Sequence, residues 1–470
     1  MGARLLLAVV VLALATAAPP APARAADPLR EAASAVRDRA LADPGAFAFV
    51  EQLTVEVGPR LAGSEAAARA RDWALAKLKA LGFSDVHAEA FPITAWLRGP
   101  EEAEITAPRP QRLAIIGLGG SAPTPPQGVE GEVVVFGAYA DLLAAAPGSL
   151  AGKIAVVLQP MVRAQDASGY GAMNAARRAG PSEAARRGAV AYLVRSLATG
   201  ESRAPHTGAL NYQPDAPKIP AAALSVIDAQ LLERLAARGQ PVRLRLKLAS
   251  TSRRSVAWTV AGEIPGRERP QEIVQVGGHL DSWDPGTGAI VDGAGMAIAV
   301  ATARVAGTQN PPRRTIRVAL FGAEEMDFAR PAFAEAHAAE APRMVVVGEA
   351  DIGADAAWRV QLPAGSRDTP QMAAFAATVA PLGVFVSADP SKGSGDDVAD
   401  LIRQAGVPAV AISQDASRYF DWHHSAEDTL DKIDPAKLDQ AVATWAAFIY
   451  IVANSDIDFR AHAPASPPHP

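Results

Sequence analysis

From Ala249 onward the chain alternates short apolar runs with longer stretches of helical periodicity, and this alternation restricts the fold more than any other feature. The runs at 255–261, 272–278, 315–321, 344–348 and 409–413 have the length and apolar character of buried strands. Residues 293–306, 331–340, 369–380, 397–404 and 435–454 carry the helical pattern. Such alternation predicts an α/β fold: a mainly parallel sheet covered by helices on both faces, a three-layer sandwich. In open sheets of that kind, functional groups collect at the C-terminal ends of strands. The stretch Gly277-Gly278-His279-Leu280-Asp281-Ser282-Trp283-Asp284 follows the run 273–276, so it places a histidine and an aspartate at such an end.

The chain has 470 residues, 49% hydrophobic and 20% charged, which suits two or three soluble domains. A net charge of −5 and the lack of a basic stripe argue against a general nucleic-acid binder. Arg253-Arg254 and Arg313-Arg314 read as solvated loop charges. There is no cysteine, which excludes disulfides and thiolate metal sites. Any metal must be held by His, Asp and Glu.

The first 25 residues read as a secretory signal: Arg4, an apolar stretch over 5–18 ended by Pro19, Pro20 and Pro22, and small residues at Ala23-Arg24-Ala25. No other stretch reads as a bilayer span, so a secreted or periplasmic protein without a stable membrane anchor is expected. Residues 26–96 open a first domain. A helix is expected over 28–45, a second segment over 47–57, and a helix over 65–81 that Ser64 can cap and Gly82 can end. A strand follows at 86–91. From Trp96 the texture changes to frequent Pro and Gly with short β-like runs at 131–137, 153–158, 188–194, 219–224 and 242–248. Residues 97–250 therefore read as an inserted β-rich domain, with one helix over 172–187. Its Pro205-His206-Thr207-Gly208 is unusual, although a lone loop histidine is ordinarily structural. The α/β core resumes over 251–457, and 458–470 reads as a disordered Pro-rich tail.

Beyond His279 and Asp281, four clusters lie near predicted strand ends or helix starts. They are Asp292 after Gly286-Thr287-Gly288, the pair Glu324-Glu325, Asp351 beside Glu349, and His423-His424-Ser425-Ala426-Glu427-Asp428-Thr429. A solvated surface does not predict that coincidence. Histidines with several carboxylates form a nitrogen–oxygen donor set that suits zinc.

The order of these clusters resembles the zinc aminopeptidase-like family of co-catalytic metallo-exopeptidases, and within it the carboxypeptidase Q branch. The resemblance rests also on Val57-Gly58-Pro59-Arg60-Leu61-Ala62-Gly63-Ser64 and Pro205-His206-Thr207-Gly208, and covers nearly the whole chain beyond the signal. It implies an exported exopeptidase acting on short peptides or dipeptides, with zinc, up to two ions per chain, and a possible homodimer. It implies that the insertion is a protease-associated domain, with Gly152-Lys153-Ile154 at its typical strand start. By position it assigns His279 and Asp351 to one zinc and Glu325 and His424 to the other. Asp281 would be the carboxylate orienting His279, and Glu324 the general base. Tyr419 and His423 are candidates for stabilising the oxyanion. A metal brings the pKa of bound water towards ~7, and a neighbouring carboxylate can take its proton.

One departure stands out. The family pattern has two consecutive aspartates after the glycines, the first bridging both metals; here that first position is Val291 and the second is Asp292. Met326-Asp327-Phe328 also replaces a glycine-containing turn. Three readings follow: Asp292 takes over the bridge through a one-residue shift, a single zinc binds with weak activity, or the chain is a catalytically impaired homologue that binds peptides. A glutaminyl-cyclase-like reading of the same fold fits the paired glutamates and the insertion less well. The joint persistence of His279, Glu324, Glu325, Asp351 and His424 favours the peptidase.

Overall fold

The computed structural model describes residues 27–308 and 311–462; the expected signal segment 1–25 lies outside them, as does 463–470 of the expected tail. The central sheet has five strands in the order Ser84–Leu97, Thr251–Ile264, Arg314–Phe321, Arg269–His279 and Met344–Glu349. Arg314–Phe321 is buried along its whole length, which requires cover on both faces. Alternate residues supply the two contacts. Val274, Val276, Ile316, Val318 and Leu320 join the cluster that includes helices Ala294–Gly307 and Pro435–Asn454. Ile273, Ala319 and Phe321 join Phe333 and Ala334 of helix Ala329–His337.

The sheet is mixed rather than mainly parallel. Thr251–Ile264 is antiparallel to both Ser84–Leu97 and Arg314–Phe321. Arg269–His279 makes the parallel ladders, to Arg314–Phe321 and Met344–Glu349. Connection length explains the difference. Residues 265–268 alone join Thr251–Ile264 to Arg269–His279, and a parallel crossover needs roughly a dozen or more residues. The run expected at 409–413 touches the sheet through one parallel bridge, Val347 to Ala409. Its strand, Ala411–Gln414, belongs to a small sheet with Ala357–Gln361 and Phe385–Val386.

The segment between Ser84–Leu97 and Thr251–Ile264 builds an eight-stranded sheet of its own. Its order is Gln111–Leu113, Glu101–Ala107, Arg243–Leu248, Val129–Phe136, Ile154–Val157, Ala191–Arg195, Ala221–Leu224 and Ile115–Gly117. The single helix expected over 172–187 is two, Ser168–Arg178 and Gly180–Arg186. Pro181 lacks the N–H a continuous helix would need there, and Gly180 lies against the Tyr192 ring, where a Cβ would come within 2.3 Å of the hydroxyl.

Several charged and apolar segments differ from expectation. Arg253 and Arg254 are exposed, but on a strand. Arg314 is buried at 1% exposure: it donates to Glu272 at 2.5 Å and to the carbonyls of Val452 and Ser455 at 2.7 and 3.0 Å. It therefore ties the sheet to the end of helix Pro435–Asn454. Ala289–Gly307 is long and apolar enough to cross a membrane, although the sequence reading places no such stretch beyond the signal; 94% of its apolar window is buried inside the fold. Residues 458–462 are not a disordered tail. Phe459 is buried and stacks with Phe448, and Arg460 reaches Glu272 at 3.2 Å.

Candidate metal centre

His279 closes the strand Arg269–His279, buried between its neighbours. Its Nδ1–H donates to the Asp281 carbonyl at 3.0 Å, and Nε2 has no well-formed hydrogen bond among the described residues. The expected orienting group is thus the Asp281 carbonyl and not its carboxylate, whose nearest oxygen is 3.8 Å away. That carboxylate accepts the Glu324 backbone N–H at 3.0 Å, so Asp281 links two strand ends. Asp351, two residues past Met344–Glu349, brings Oδ1 to 3.3 Å from His279 Nε2, and Glu324 Oε2 lies 3.9 Å from the same nitrogen.

Glu325 and His424 form a second pair, with Oε2 and Nε2 3.0 Å apart. Trp283 Nε1–H donates to the same Glu325 oxygen at 2.5 Å, while Oε1 has no partner among the described residues. His424 adopts φ +60°, and its carbonyl accepts the Thr207 N–H at 2.9 Å. Thr207 Oγ1–H in turn donates to Gly117 at 2.8 Å. The Pro205–Gly208 cluster therefore latches His424 to the eight-stranded sheet. His423 stacks on His424 with centroids 3.4 Å apart. Donor atoms of His279, Glu324 and Glu325 lie within 4.8 Å of one another, as do those of His279, Asp292 and Asp351.

Burial and mutual repulsion dominate the electrostatics. Burial pushes Glu325 up to about 7 and Asp281 to about 6, and raises Glu324 well above the carboxylate range with help from Asp351 and Glu325. Burial alone would lower His279, but Asp351, Asp292 and Glu324 overcome it and hold the ring well above its usual value. The cluster thus draws positive charge to His279. Burial, reinforced by Arg177, keeps His424 well below the imidazole range, so it stays neutral and can offer a lone pair. The donor set fits zinc. Two donors on a tetrahedral zinc at bond lengths of ~2.0–2.1 Å stand about 3.3 Å apart, close to both pairs.

Val291 lines the cleft at 3% exposure. Asp292 is fully buried: Oδ2 accepts the His279 N–H at 2.9 Å and Oδ1 the Gly295 N–H at 3.0 Å. Gly278 and Gly295 give it room, since a Cβ at either would fall within 2.6 Å of its oxygens. Although its oxygens come close to the His279 and Asp351 donors, both are committed to backbone. Each oxygen keeps a further lone pair, so Asp292 remains within reach of a metal shared with His279 and Asp351, while Val291 lines the cleft.

Some supporting residues have no role assigned from sequence. Arg60 is fully buried and donates to the carbonyls of Leu280, Thr287 and Gly288 at 2.6, 2.9 and 2.9 Å, clamping the loop from His279 to Val291. Asp428 accepts the Ile290 N–H at 2.7 Å from the far side. Both sit inside motifs visible in the sequence, an arginine between Pro and Leu and an aspartate after the paired histidines, but spacing alone does not say what they hold. In the altered turn, Asp327 takes φ +60°, a conformation Asp tolerates better than most residues, and pairs with Arg178 of the insertion. The cleft, open to solvent, is lined by residues of helix Ser168–Arg178 and by the strand-end residues. Tyr419 and His423 both line it.

The model of Peptidase family M28 matches residues 259–449, a span holding His279, Val291, Glu324, Glu325, Asp351 and His424. The chain is 37% identical to mouse carboxypeptidase Q over 85% of its own length and 84% of the relative's. The chain belongs to peptidase family M28. A crystal structure of a peptidase M28 precursor from Shewanella amazonensis superposes with a TM-score of 0.89 at 40% identity, covering 94% of this chain and 99% of that one. A zinc aminopeptidase from Bacillus subtilis, 21% identical with a TM-score of 0.62 over 90% of this chain and 98% of its own, shares the fold. The M28 chain described here is accordingly a hydrolase of a metallopeptidase family.

Proposed function

We propose that this M28 chain is an exported zinc-dependent exopeptidase acting on short peptides or dipeptides. The reading includes a three-layer α/β catalytic domain and an inserted protease-associated domain over 97–250. Zinc would be held by His279 with Asp351 and by Glu325 with His424. The observation that carries it is the pair of donor sets, 3.3 and 3.0 Å across, converging in one cleft beside the Glu324 carboxylate. Bound zinc would polarise the scissile carbonyl and acidify the attacking water. With a cation bound to offset the negative charge that raises it, Glu324 would accept a proton from the attacking water and return it to the departing amine, first as general base and then as general acid. Asp281 accepts the Glu324 backbone N–H while its carbonyl holds His279 Nδ1–H, so Nε2 is the nitrogen turned towards Asp351, where a metal would replace its proton. Trp283 holds Glu325 in place against His424. Tyr419 and His423, which line the same cleft, would stabilise the developing oxyanion.

Val291 favours a second reading. With no ligand shared between them, each pair supplies two protein donors where catalytic zinc sites usually have three, so a metal-poor peptide-binding homologue fits that one residue better. Elemental analysis of purified protein and chelator-sensitive hydrolysis of dipeptides separate the two. One or two zincs with turnover lost in chelator support the peptidase; peptide binding with neither zinc nor turnover supports the other.

A further inference from the structure

Arg177 sits near the end of helix Ser168–Arg178, in the segment between the two halves of the central sheet, and lines the same cleft as His279, Glu325 and His424. It is 4% exposed. Its Nη2 donates to Asn174 at 3.0 Å, yet Nε and Nη1 have no partner among the described residues. Its neighbour Arg178 is engaged with Asp327. The guanidinium rests over the Tyr170 ring at 5.3 Å and against Gly208, where a Cβ would come within 2.2 Å of Nη1. Only a residue without a side chain leaves that space, so the Pro205–Gly208 cluster, besides latching His424, gives Arg177 its seat. A buried guanidinium with open N–H groups is costly unless an anion completes it, and its planar fork matches a carboxylate.

We propose that Arg177 anchors the free α-carboxylate of the peptide in this cleft, making it a specificity-determining residue supplied by the insertion. This deepens, and rests on, the peptidase reading of the site. The carboxylate would span Nε and Nη1, with Asn174 holding the far side of the guanidinium. Substrates blocked at the C-terminus would leave those N–H groups unpaired.

Calorimetric titration of the full chain, freed of metal with EDTA, with Ala-Leu and with its C-terminal amide reads carboxylate recognition without turnover. The acid should bind about 10- to 100-fold more tightly than the amide, the range of a charge-assisted hydrogen-bonded pair. Arg177→Gln should bring the two within about 3-fold, and Arg177→Lys should keep part of the difference, since lysine retains the charge but not the fork. In zinc-supplemented protein, Arg177→Gln should raise KM for Ala-Leu by about 10-fold or more and KM for the amide by less than about 3-fold. Equal affinity of the unmodified protein for acid and amide overturns the proposal, whatever the variants do, and so does binding of neither. A kcat loss shared equally by acid and amide also overturns it, because that would make Arg177 an oxyanion partner. Acid-selective binding without any hydrolysis keeps the anchor and removes the peptidase reading.

Discussion

Val291→Asp is the perturbation that most directly tests how this centre is built. Val291 is almost fully buried and lines the cleft that holds the His279–Asp351 and Glu325–His424 pairs. An aspartate there adds one carboxylate donor to both pairs at once. Removing even an outlying partner of a zinc ligand costs about 10–100-fold in affinity, and a direct donor is worth at least that, so zinc affinity should rise by ~100-fold, about 2.7 kcal/mol. Without metal the sign reverses. The new carboxylate would join Glu324 and Glu325, which burial and like charges already push upward, at a cost on the order of 1–3 kcal/mol. The variant should therefore unfold at lower temperature than the parent in EDTA and at higher temperature in excess zinc. Competition against a chromophoric chelator gives the affinity, and thermal unfolding under both conditions gives the crossover. Unchanged zinc affinity, or a Tm shift of one sign in both conditions, would mean that Val291 does not stand between the pairs or that Asp292 already serves both.

Other outcomes follow from the same geometry. Glu324→Gln should reduce dipeptide turnover by roughly 10²–10⁴-fold with zinc content unchanged by elemental analysis; retained turnover would take Glu324 out of the base role. Arg60→Met leaves the carbonyls of Leu280, Thr287 and Gly288 without their donor and should destabilise the fold by about 3 kcal/mol or more in urea, with faster zinc loss to chelator. His337 lies between Glu340 and Glu89, with ring nitrogens at 2.5 and 2.9 Å from their oxygens, and is raised to about 9 because these contacts outweigh its burial. A raised folded-state value means that its stabilisation is complete below ~6.5 and lost as pH climbs through about 9, on the order of 1–3 kcal/mol shared with Glu340. Chemical denaturation at pH 6 and pH 10 should show that loss, and His337→Gln should flatten it.

The strand ends were legible in the sequence because burial on both faces leaves an unbroken apolar run, as in 315–321, and because glycines and carboxylates mark where it stops. All the donors proposed from the sequence, His279, Asp351, Glu325 and His424, converge with Glu324 in one cleft. Strand direction was less legible. It depends on connection length, and the gap between the apolar runs 255–261 and 272–278 was already too short for a parallel crossover. Buried arginines were invisible for another reason. Arg60, Arg177 and Arg314 look like solvated charges until tertiary structure brings carbonyls, a ring or an empty seat to them. The Asp281 role was misplaced because spacing cannot separate a residue's carboxylate from its carbonyl two residues from the ring it holds.

With valine at position 291, the other proposed donors still converge in one cleft, and the wiring explains why. His279, Glu325 and His424 are each oriented by contacts that do not involve position 291. His279 is set by the Asp281 carbonyl, Glu325 by Trp283, and His424 by Thr207 from the second sheet. The loop that carries Val291 is held independently, by Arg60 on one side and Asp428 on the other. A side-chain change at 291 therefore alters the charge between the two pairs without releasing either. The consequence is that these donors are held by contacts that do not pass through position 291. That separation is what makes Val291→Asp a test of chemistry rather than of folding.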